Sequence, residues 1–588
     1  MKQIDCVCFF KFIFTVYLSI LYFFDAIFER IVMENFNIFC IFQLLGGLAF
    51  FLYGMHMMSD SLEKIAGGKL EKILKSITSN PLKGLLLGLG VAAVIQSSSA
   101  VTVMLVGLVN SGLIKLSQAI GVIMGSNIGT TATAWILSLA GIEGDNSWIA
   151  LFKPDTLTPI LAFVGLMLFF VAKSSKNKNI GTVFIGFAIL MTGMIAMGAS
   201  MAPLSHSEKF INLLTLFNNP LFGIFIGTLI TAIIQSSSAS VGMLQALALK
   251  VDITCGAALP IIMGQNIGTC ITAIISSIGV NSSARKVAVV HLAFNILGTM
   301  IFLTAFLIGT SLFEIPYLTE VASPAKIAIL HSIFNIGTTV LLFPFVKQLE
   351  KLADKVIKEE ENTEEIALDD RLLLSPELAL VEVNQKLVEM TDLVKNNLIY
   401  STKLLKTYTT KKALVIAQNH QLIKTYENKL KAYLIKVSNK ELSEELSGDI
   451  ARLLLIINEF KQIKKLSKDI FKIAEEKFAN HIEFSDEFIE DLRVIVKTTR
   501  AMIRTTQLAL SNYDVELARE VKTCREQIDE LIFKARNKHI QNVQYGKLPM
   551  EYDYMILNLF TDLARCAEHC KNVAKMIIKK EKIASENK

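Results

Sequence analysis

Two four-residue stretches carry the side chains best suited to bind something: Gln96-Ser97-Ser98-Ser99 and Gln235-Ser236-Ser237-Ser238, each followed by alanine. Each interrupts an apolar run, Gly84 to Ile95 in the first case and Phe222 to Ile234 in the second. If the surroundings are hydrocarbon, these amides and hydroxyls must find partners, because an unsatisfied polar group there is costly. Hydroxyls and the N-termini of broken helices would donate to an oxyanion. Side-chain amide oxygens and unwound carbonyls would ligate a small hard cation such as Na+. An anion alone in low dielectric is heavily penalised, and a co-bound cation offsets that cost.

The elements that must position these groups recur at one offset. Asn80-Pro81 returns as Asn219-Pro220, Gln96 as Gln235, Gly54-Met55 as Gly193-Met194, and Met124-Gly125 as Met263-Gly264. Asn127-Ile128-Gly129-Thr130 returns as Asn266-Ile267-Gly268-Thr269. A gapless repeat with interrupted apolar segments at matching places points to a site built between two halves of a membrane protein. That makes Gln96, Ser97, Ser98, Ser99, Gln235, Ser236, Ser237 and Ser238 the candidate ligands, with Asn127, Thr130, Asn266 and Thr269 beside them. The competing reading is a duplicated bundle whose serines bond across helices. It suits one serine better than two matched clusters. A later echo, His291-x-x-Phe294-Asn295 and His331-x-x-Phe334-Asn335, puts His and Asn on one helix face and reads as a packing hydrogen bond. No G-x-S-x-G surrounds either serine cluster, so a serine hydrolase is not expected.

Composition separates two regions. The chain has 588 residues, 52% hydrophobic, a mean hydropathy of +0.48 and a net charge of +6. Yet 40 of the 59 Lys and Arg, and 39 of the 53 Asp and Glu, lie beyond Lys347. Only Gly448 and Gly546 of the 32 glycines do so. A glycine-rich membrane part therefore precedes a charged helical part. No basic block suits nucleic acid. The eight cysteines suggest no disulfide framework, and Cys566-x-x-x-Cys570 around His569 lacks a second ligand pair for zinc.

The expected organisation is an all-α chain: residues 1–32 as an extra apolar segment, 33–180 as the first membrane repeat, 181–350 as the second repeat with two further helices, and 351–588 as a soluble helical tail. Residues 1–32 lack a small-residue cleavage site, and an orderly pattern starts only at Met33, so this segment reads as an extra helix or as sequence upstream of the true start. Phe36 to Met58 suits a span, and Asp60 to Asn80 and Phe210 to Asn219 suit amphipathic interfacial helices. Leu82 to Ile95 and Val101 to Val109 are too short to cross alone, so a broken or re-entrant helix is expected. Thr158 to Ala172 and Ile180 to Met201 are joined by Lys173 to Lys178, a stretch with three lysines and no acid that is expected in the cytoplasm. Cys255 to Ile278, Lys286 to Ile308 and Lys326 to Phe345 complete the spans. Inverted repeats need an odd number of crossings in each, which re-entrant pieces leave open at this stage.

At these residues the chain resembles the type II sodium/phosphate cotransporter family, whose hallmark is Q-S-S-S in two inverted repeats. The resemblance covers Glu34 to about Lys347. It implies sodium-driven movement of inorganic phosphate across the cell membrane by alternating access, with both Q-S-S-S clusters lining the phosphate and sodium sites. It implies no cofactor beyond sodium as coupling ion, a lipid bilayer around the protein, and a homodimer as compatible. Export of phosphate, or transport of another oxyanion, is the nearest alternative. A membrane-anchored protein that signals phosphate status is the alternative of another class. The tail resembles a PhoU-type regulatory domain of two three-helix bundles, with Leu455 to Ala474 echoed by Leu557 to Met576. Its acidic metal motif is altered. The first copy reads Lys461-Gln462-Ile463-Lys464-Lys465, and the second, Ala564-Arg565-Cys566-Ala567-Glu568-His569, keeps one acid, so no metal is expected there.

Overall fold

A computed structural model describes residues 38–75, 80–142, 151–206, 215–358, 366, 368–440, 442–544 and 553–586. The apolar segment 1–32 and the first half, 210–214, of the stretch expected to be amphipathic at 210–219 lie outside the described residues. The chain divides into two compact units, Met1–Asn362 and Thr363–Lys588.

The first unit is a multi-pass membrane protein. In chain order its longer described α-helices are α1 (Ile38–Lys75), α2 (Pro81–Ile95), α3 (Ser98–Asn110), α4 (Leu116–Ser138), α5 (Pro154–Val171), α6 (Ser175–Met201), α7 (Pro220–Ile234), α8 (Ser237–Ala248), α9 (Cys255–Gly268), α10 (Cys270–Ser276), α11 (Ser282–Leu312), α12 (Pro324–Leu342) and α13 (Val346–Val356). Among the described residues, seven segments are long and apolar enough to cross a bilayer. α2, α3 and α7 are shorter: 15 residues make about 22 Å of helix against a core of about 30 Å.

Glycine contacts settle how the short helices run. Gly121 of α4 packs on Pro81, Gly125 on Leu85 and Gly129 on Leu89, so numbering rises together and α2 lies parallel to α4. α3 must then return from the end of α2 to the level where α2 began, and the α2–α3 pair re-enters without crossing. The second repeat does the same. Ile224 meets Gly264 and Thr228 meets Gly268, so α7 lies parallel to α9. That leaves three crossings per repeat, α1, α4 and α5 against α6, α9–α10 and α11. Three is odd, so the repeats are inverted. The contact between them agrees: α1 and α6 run antiparallel, with Gly47 against Gly193 and Met197, and Gly54 against Gly186 and Leu190.

Several boundaries differ from those expected. α1 continues unbroken through the amphipathic stretch to Lys75, because nothing in Asp60 to Lys75 stops a helix. Ser175 already begins α6, so the lysine-bearing linker shrinks to Ala172–Ser174 and the seam between repeats lies there and not at residue 180. Cys255 to Ile278 is broken at Thr269. α13 extends to Val356 within the membrane unit, which ends at Asn362 and not at residue 350.

Among its described residues the second unit holds six α-helices, α14 (Pro376–Leu404), α15 (Thr410–Ser438), α16 (Glu444–Ala479), α17 (Asp486–Asn512), α18 (Val515–Gln544) and α19 (Asp553–Glu586). They form two three-helix halves, α14–α16 and α17–α19, joined where α16 meets α19 and α14 meets α17. Ser443 and Ser485 cap α16 and α17 by accepting from Leu446 N and Phe488 N. Each half closes over apolar stripes such as Leu453, Ile456, Phe460 and Ile463 on α16.

Near the start of this unit Glu382 is buried, and its two oxygens accept from the Asp369 N–H at 3.1 and 3.0 Å. Burial pushes its pKa up to about 7, the Asp369 charge adds to that, and the hydrogen bond from Asp369 opposes it. A carboxyl with a raised folded pKa holds its proton in the folded state between about pH 4.5 and 7 while the unfolded chain has lost it. Its contribution to stability is therefore lost as pH rises through that window. Glu382→Gln should stabilise the protein by on the order of 2 kcal/mol at pH 7.5 and by little at pH 4.5, read as the pH dependence of thermal unfolding. The helix contacts of the membrane unit give a second expectation. A Cβ at Gly125 or Gly264 would collide with backbone of the facing helix, whereas Gly90 faces open space. Gly125→Ala and Gly264→Ala should each cost about 1–3 kcal/mol. Gly90→Ala should be neutral or slightly stabilising in the same detergent melting assay.

Candidate functional site

Each Q-S-S-S stretch is a helix end followed at once by a helix start. Asn80 begins α2 by accepting from Leu82 N at 2.9 Å, with Pro81 in the first turn, and Asn219 does the same for α7 with Leu221 N at 3.0 Å. α2 ends when Gln96 turns left-handed at φ 61°, and α7 ends at Gln235 with φ 59°. His481 and Tyr513 are the other non-glycine residues with positive φ among the described residues. Glutamine pays about 1–2 kcal/mol for that conformation, so its side chain or the next helix must compensate. Ser97 then caps α3, accepting from Ala100 N at 3.2 Å, and Ser236 caps α8, accepting from Ala239 N at 3.2 Å.

This geometry has a chemical consequence. The capping hydroxyl accepts from the helix and keeps its own proton to donate outward. The first backbone N–H groups of α3 and α8, at Ser98, Ser99, Ser237 and Ser238, lie at positive ends of helix dipoles. Two such ends in one unit suit an anion. Ser98, Ser237 and Ser238 are buried, while Ser97, Ser99 and Ser236 are half-buried.

The two breaks meet through Thr133 on α4. Its hydroxyl donates to Gln96 Oε1 at 2.7 Å, and Ser238 Oγ lies 3.4 Å away as a donor to it. Gln96 also donates from Nε2 to Ala93 O. The counterpart differs. Gln235 is exposed, and Thr272, which occupies the position of Thr133 in the second repeat, donates to Thr269 O on its own helix at 2.9 Å. One glutamine is thus tied down and its twin is not.

The flanking candidates are placed differently. Thr130 and Thr269 donate to Ser126 O and Gln265 O within their own helices. Asn266 donates to Ile262 O at 3.0 Å. Asn127 reaches across to Asn295 Oδ1 at 3.1 Å, tying α4 to α11. The His-Asn pairs bond by side chain to backbone: Asn295 Nδ2 donates to His291 O and Asn335 Nδ2 to His331 O.

On α8, α9, α11 and α12 several buried polar atoms have no protein partner. Gln245 donates to Ala134 O at 2.9 Å and Pro324 O at 2.8 Å, and Gln265 donates to Ser240 O at 3.0 Å. Gln245 Oε1, Gln265 Oε1 and Ser240 Oγ remain unpaired, as do the ring nitrogens of His291 and His331. Buried polar atoms in that state mark places where water, an ion or a ligand completes the network. Neutral amide and hydroxyl oxygens fit a monovalent hard cation.

A family model described as Na+/Pi-cotransporter matches residues 50–199 and again 200–318, one match over each break. The chain belongs to the Na+/Pi-cotransporter family. A PhoU domain matches residues 492–577, within the second three-helix half of the tail. The chain is 30% identical over 312 residues to "Uncharacterized protein YqeW" of Bacillus subtilis, spanning 53% of this chain and 96% of that protein. It is 23% identical over 534 residues to "Putative inorganic phosphate export protein YjbB" of Escherichia coli, spanning 89% of this chain and 94% of that one. It is 43% identical over 99 residues to "Sodium-dependent phosphate transport protein 2A" of Rattus norvegicus, a match confined to 16% of this chain and 15% of the rat protein.

Within this cotransporter-family chain, Thr133 is the residue that reasoning from sequence passed over. Thr133 and Thr272 share the offset of the repeat, so a signal was present. Gln245 and Gln265 have no glutamine at the matching position of the first repeat, Val106 and Ser126, and no repeat signal could have found them. Thr133→Val should strand the buried Gln96 oxygen and lower stability by about 1–3 kcal/mol, while Thr272→Val should cost clearly less. Thermal unfolding of the two variants in detergent makes the comparison.

Proposed function

We propose that the chain couples sodium to the movement of inorganic phosphate across the cell membrane by alternating access. The observation that carries this reading is the joining of two inverted helix breaks through Thr133, which gathers donors from both repeats at one place within the membrane unit. The breaks offer hydroxyls and helix N-termini to a phosphate oxyanion. The unpaired amide oxygens of Gln245 and Gln265 offer ligands to sodium. Gln265, which donates to Ser240 O one turn beyond Ser236, supports coupling, because a cation beside the anion lowers the cost of taking either out of water. The unequal state of Gln96 and Gln235 supports alternating access: inverted repeats of like sequence exchange roles when the protein turns from one face of the membrane to the other.

The tail is proposed to lie in the cytoplasm and to regulate transport. Four spans separate the Lys173–Lys178 stretch from the tail, an even number, so both lie on one side, and lysines without acids favour the cytoplasm. Export is the second reading, and the name of the Escherichia coli relative favours it.

Radiolabelled phosphate flux into proteoliposomes tests these points together. An inward sodium gradient should drive uptake. Ser97→Ala and Ser236→Ala should each lower it by roughly tenfold or more, the loss expected when a hydrogen bond to a charged group is removed, with membrane insertion unchanged. Full flux in both variants overturns the assignment of the breaks. Flux that is indifferent to sodium but runs down a phosphate gradient selects export. Truncation before Thr363 should leave the flux and abolish its regulation.

A further inference from the structure

α15 and α16 face each other with lysines on both sides. On α15, His420, Lys424, Glu427 and Lys431 follow at spacings of four, three and four, which is one helix face. On α16, Lys461, Lys464 and Lys468 form the facing stripe. The carboxylate within ion-pair distance of Lys461 and Lys464 is Glu427, which is buried. It accepts from Lys431 Nζ at 2.8 Å and forms ion pairs with Lys461 Nζ at 3.1 Å and Lys464 Nζ at 3.6 Å. Lys464 itself is only 8% exposed. Three ammonium groups therefore share one carboxylate, with Lys424 and Lys468 on the same facing stripes.

Helices rarely present like charges to each other, because the repulsion opposes their packing and grows with burial. Two further observations show the strain. Burial, with Lys461 and Lys424 adding to it, holds the Lys464 ammonium below its usual range despite Glu427. His420 is held low by burial and by Lys464, Lys468 and Lys424, and its Nδ1, buried, meets no hydrogen-bond partner. A neutral imidazole nitrogen and a ring of ammonium groups lack an anion of several charges. From Lys461 to Lys468 is about 10 Å along α16, longer than one phosphate can bridge.

We propose that the α15–α16 face of the tail binds a free oligophosphate, an anion carrying two or more linked phosphoryl groups, with Lys424, Lys461, Lys464 and Lys468 as its ligands and Glu427 as an internal competitor for them. This site is separate from the membrane breaks and does not depend on the transport reading.

The test is calorimetric titration of the full-length protein in detergent with inorganic triphosphate, orthophosphate and dihexanoyl phosphatidic acid, at two salt concentrations. Triphosphate should bind, and more weakly at high salt. The triple variant Lys424→Gln, Lys461→Gln, Lys468→Gln should weaken binding at least tenfold, which also separates this site from the membrane breaks. Glu427→Gln should tighten binding about tenfold by freeing the lysines, a gain that a packing role would not produce. Absence of triphosphate binding, equal binding by the triple variant, or unchanged or weaker binding by Glu427→Gln overturns the proposal. Orthophosphate binding as tightly as triphosphate overturns the requirement for linked phosphoryl groups. Equal or tighter binding of the phosphatidic acid assigns the face to a lipid headgroup and overturns the free anion.

Discussion

The membrane unit depends on a backbone that stops being helical inside the bilayer and is still satisfied. A helix that ends there leaves carbonyls at its C-terminus, and the next leaves N–H groups at its start. Here Gln96 and Gln235 close one helix in the left-handed conformation while Ser97 and Ser236 open the next two residues on. Each break costs backbone strain and yields an aligned set of donors. The strain is held because α2 is clamped to α4, and α7 to α9, by glycines that let backbones touch. A bulkier residue at Gly125 or Gly264 would prise apart the helices whose ends form the breaks.

Much of this was legible in sequence because a repeat is a comparison that a chain makes with itself. Asn80-Pro81 and Asn219-Pro220 announced the same capped start, and Gln-Ser-Ser-Ser the same interruption. The family assignment rests on those residues and is upheld by a match over both repeats. Inversion was not legible, since it turns on whether α3 runs back along α2, and short apolar helices carry no arrow. Only the order of contacts along α4 supplies it, Pro81 at Gly121 and Leu89 at Gly129. The inequality of Gln96 and Gln235 was not legible either. Matched sequences argue for matched structure, and a conformation that favours one repeat over the other is a property of packing.

The tail shows the reverse. Its helices are plain in sequence, because heptad-like apolar spacing with few breakers leaves little else. What the lysines of the altered motif do there could be read only with a partner helix in view. Lys461 and Lys464 stand opposite Glu427, so the bases of α16 are answered by an acid in α15. The corresponding place in α19 keeps Glu568, which accepts from Arg525 of α18 at 3.1 Å. The two halves have thus moved apart in chemistry while keeping the same three-helix frame.

Contacts within the membrane unit fall into two kinds, and the difference bears on motion. α1 against α6, α2 against α4 and α7 against α9 are glycine contacts in which main chain touches main chain. Such seams resist sliding, since close-packed interiors deform in discrete steps. The second break meets the first repeat through side chains: Ser238 with Thr133, Gln245 with Ala134 O, and the ring of Phe51 against Gly242. Side-chain contacts of that sort can exchange partners at the cost of a hydrogen bond or two, whereas separating a glycine seam exposes long stretches of backbone. In the proposed alternating-access cycle, a turn of the site from one face to the other is therefore cheapest where Thr133 changes partner, with α1 and α6 held together throughout.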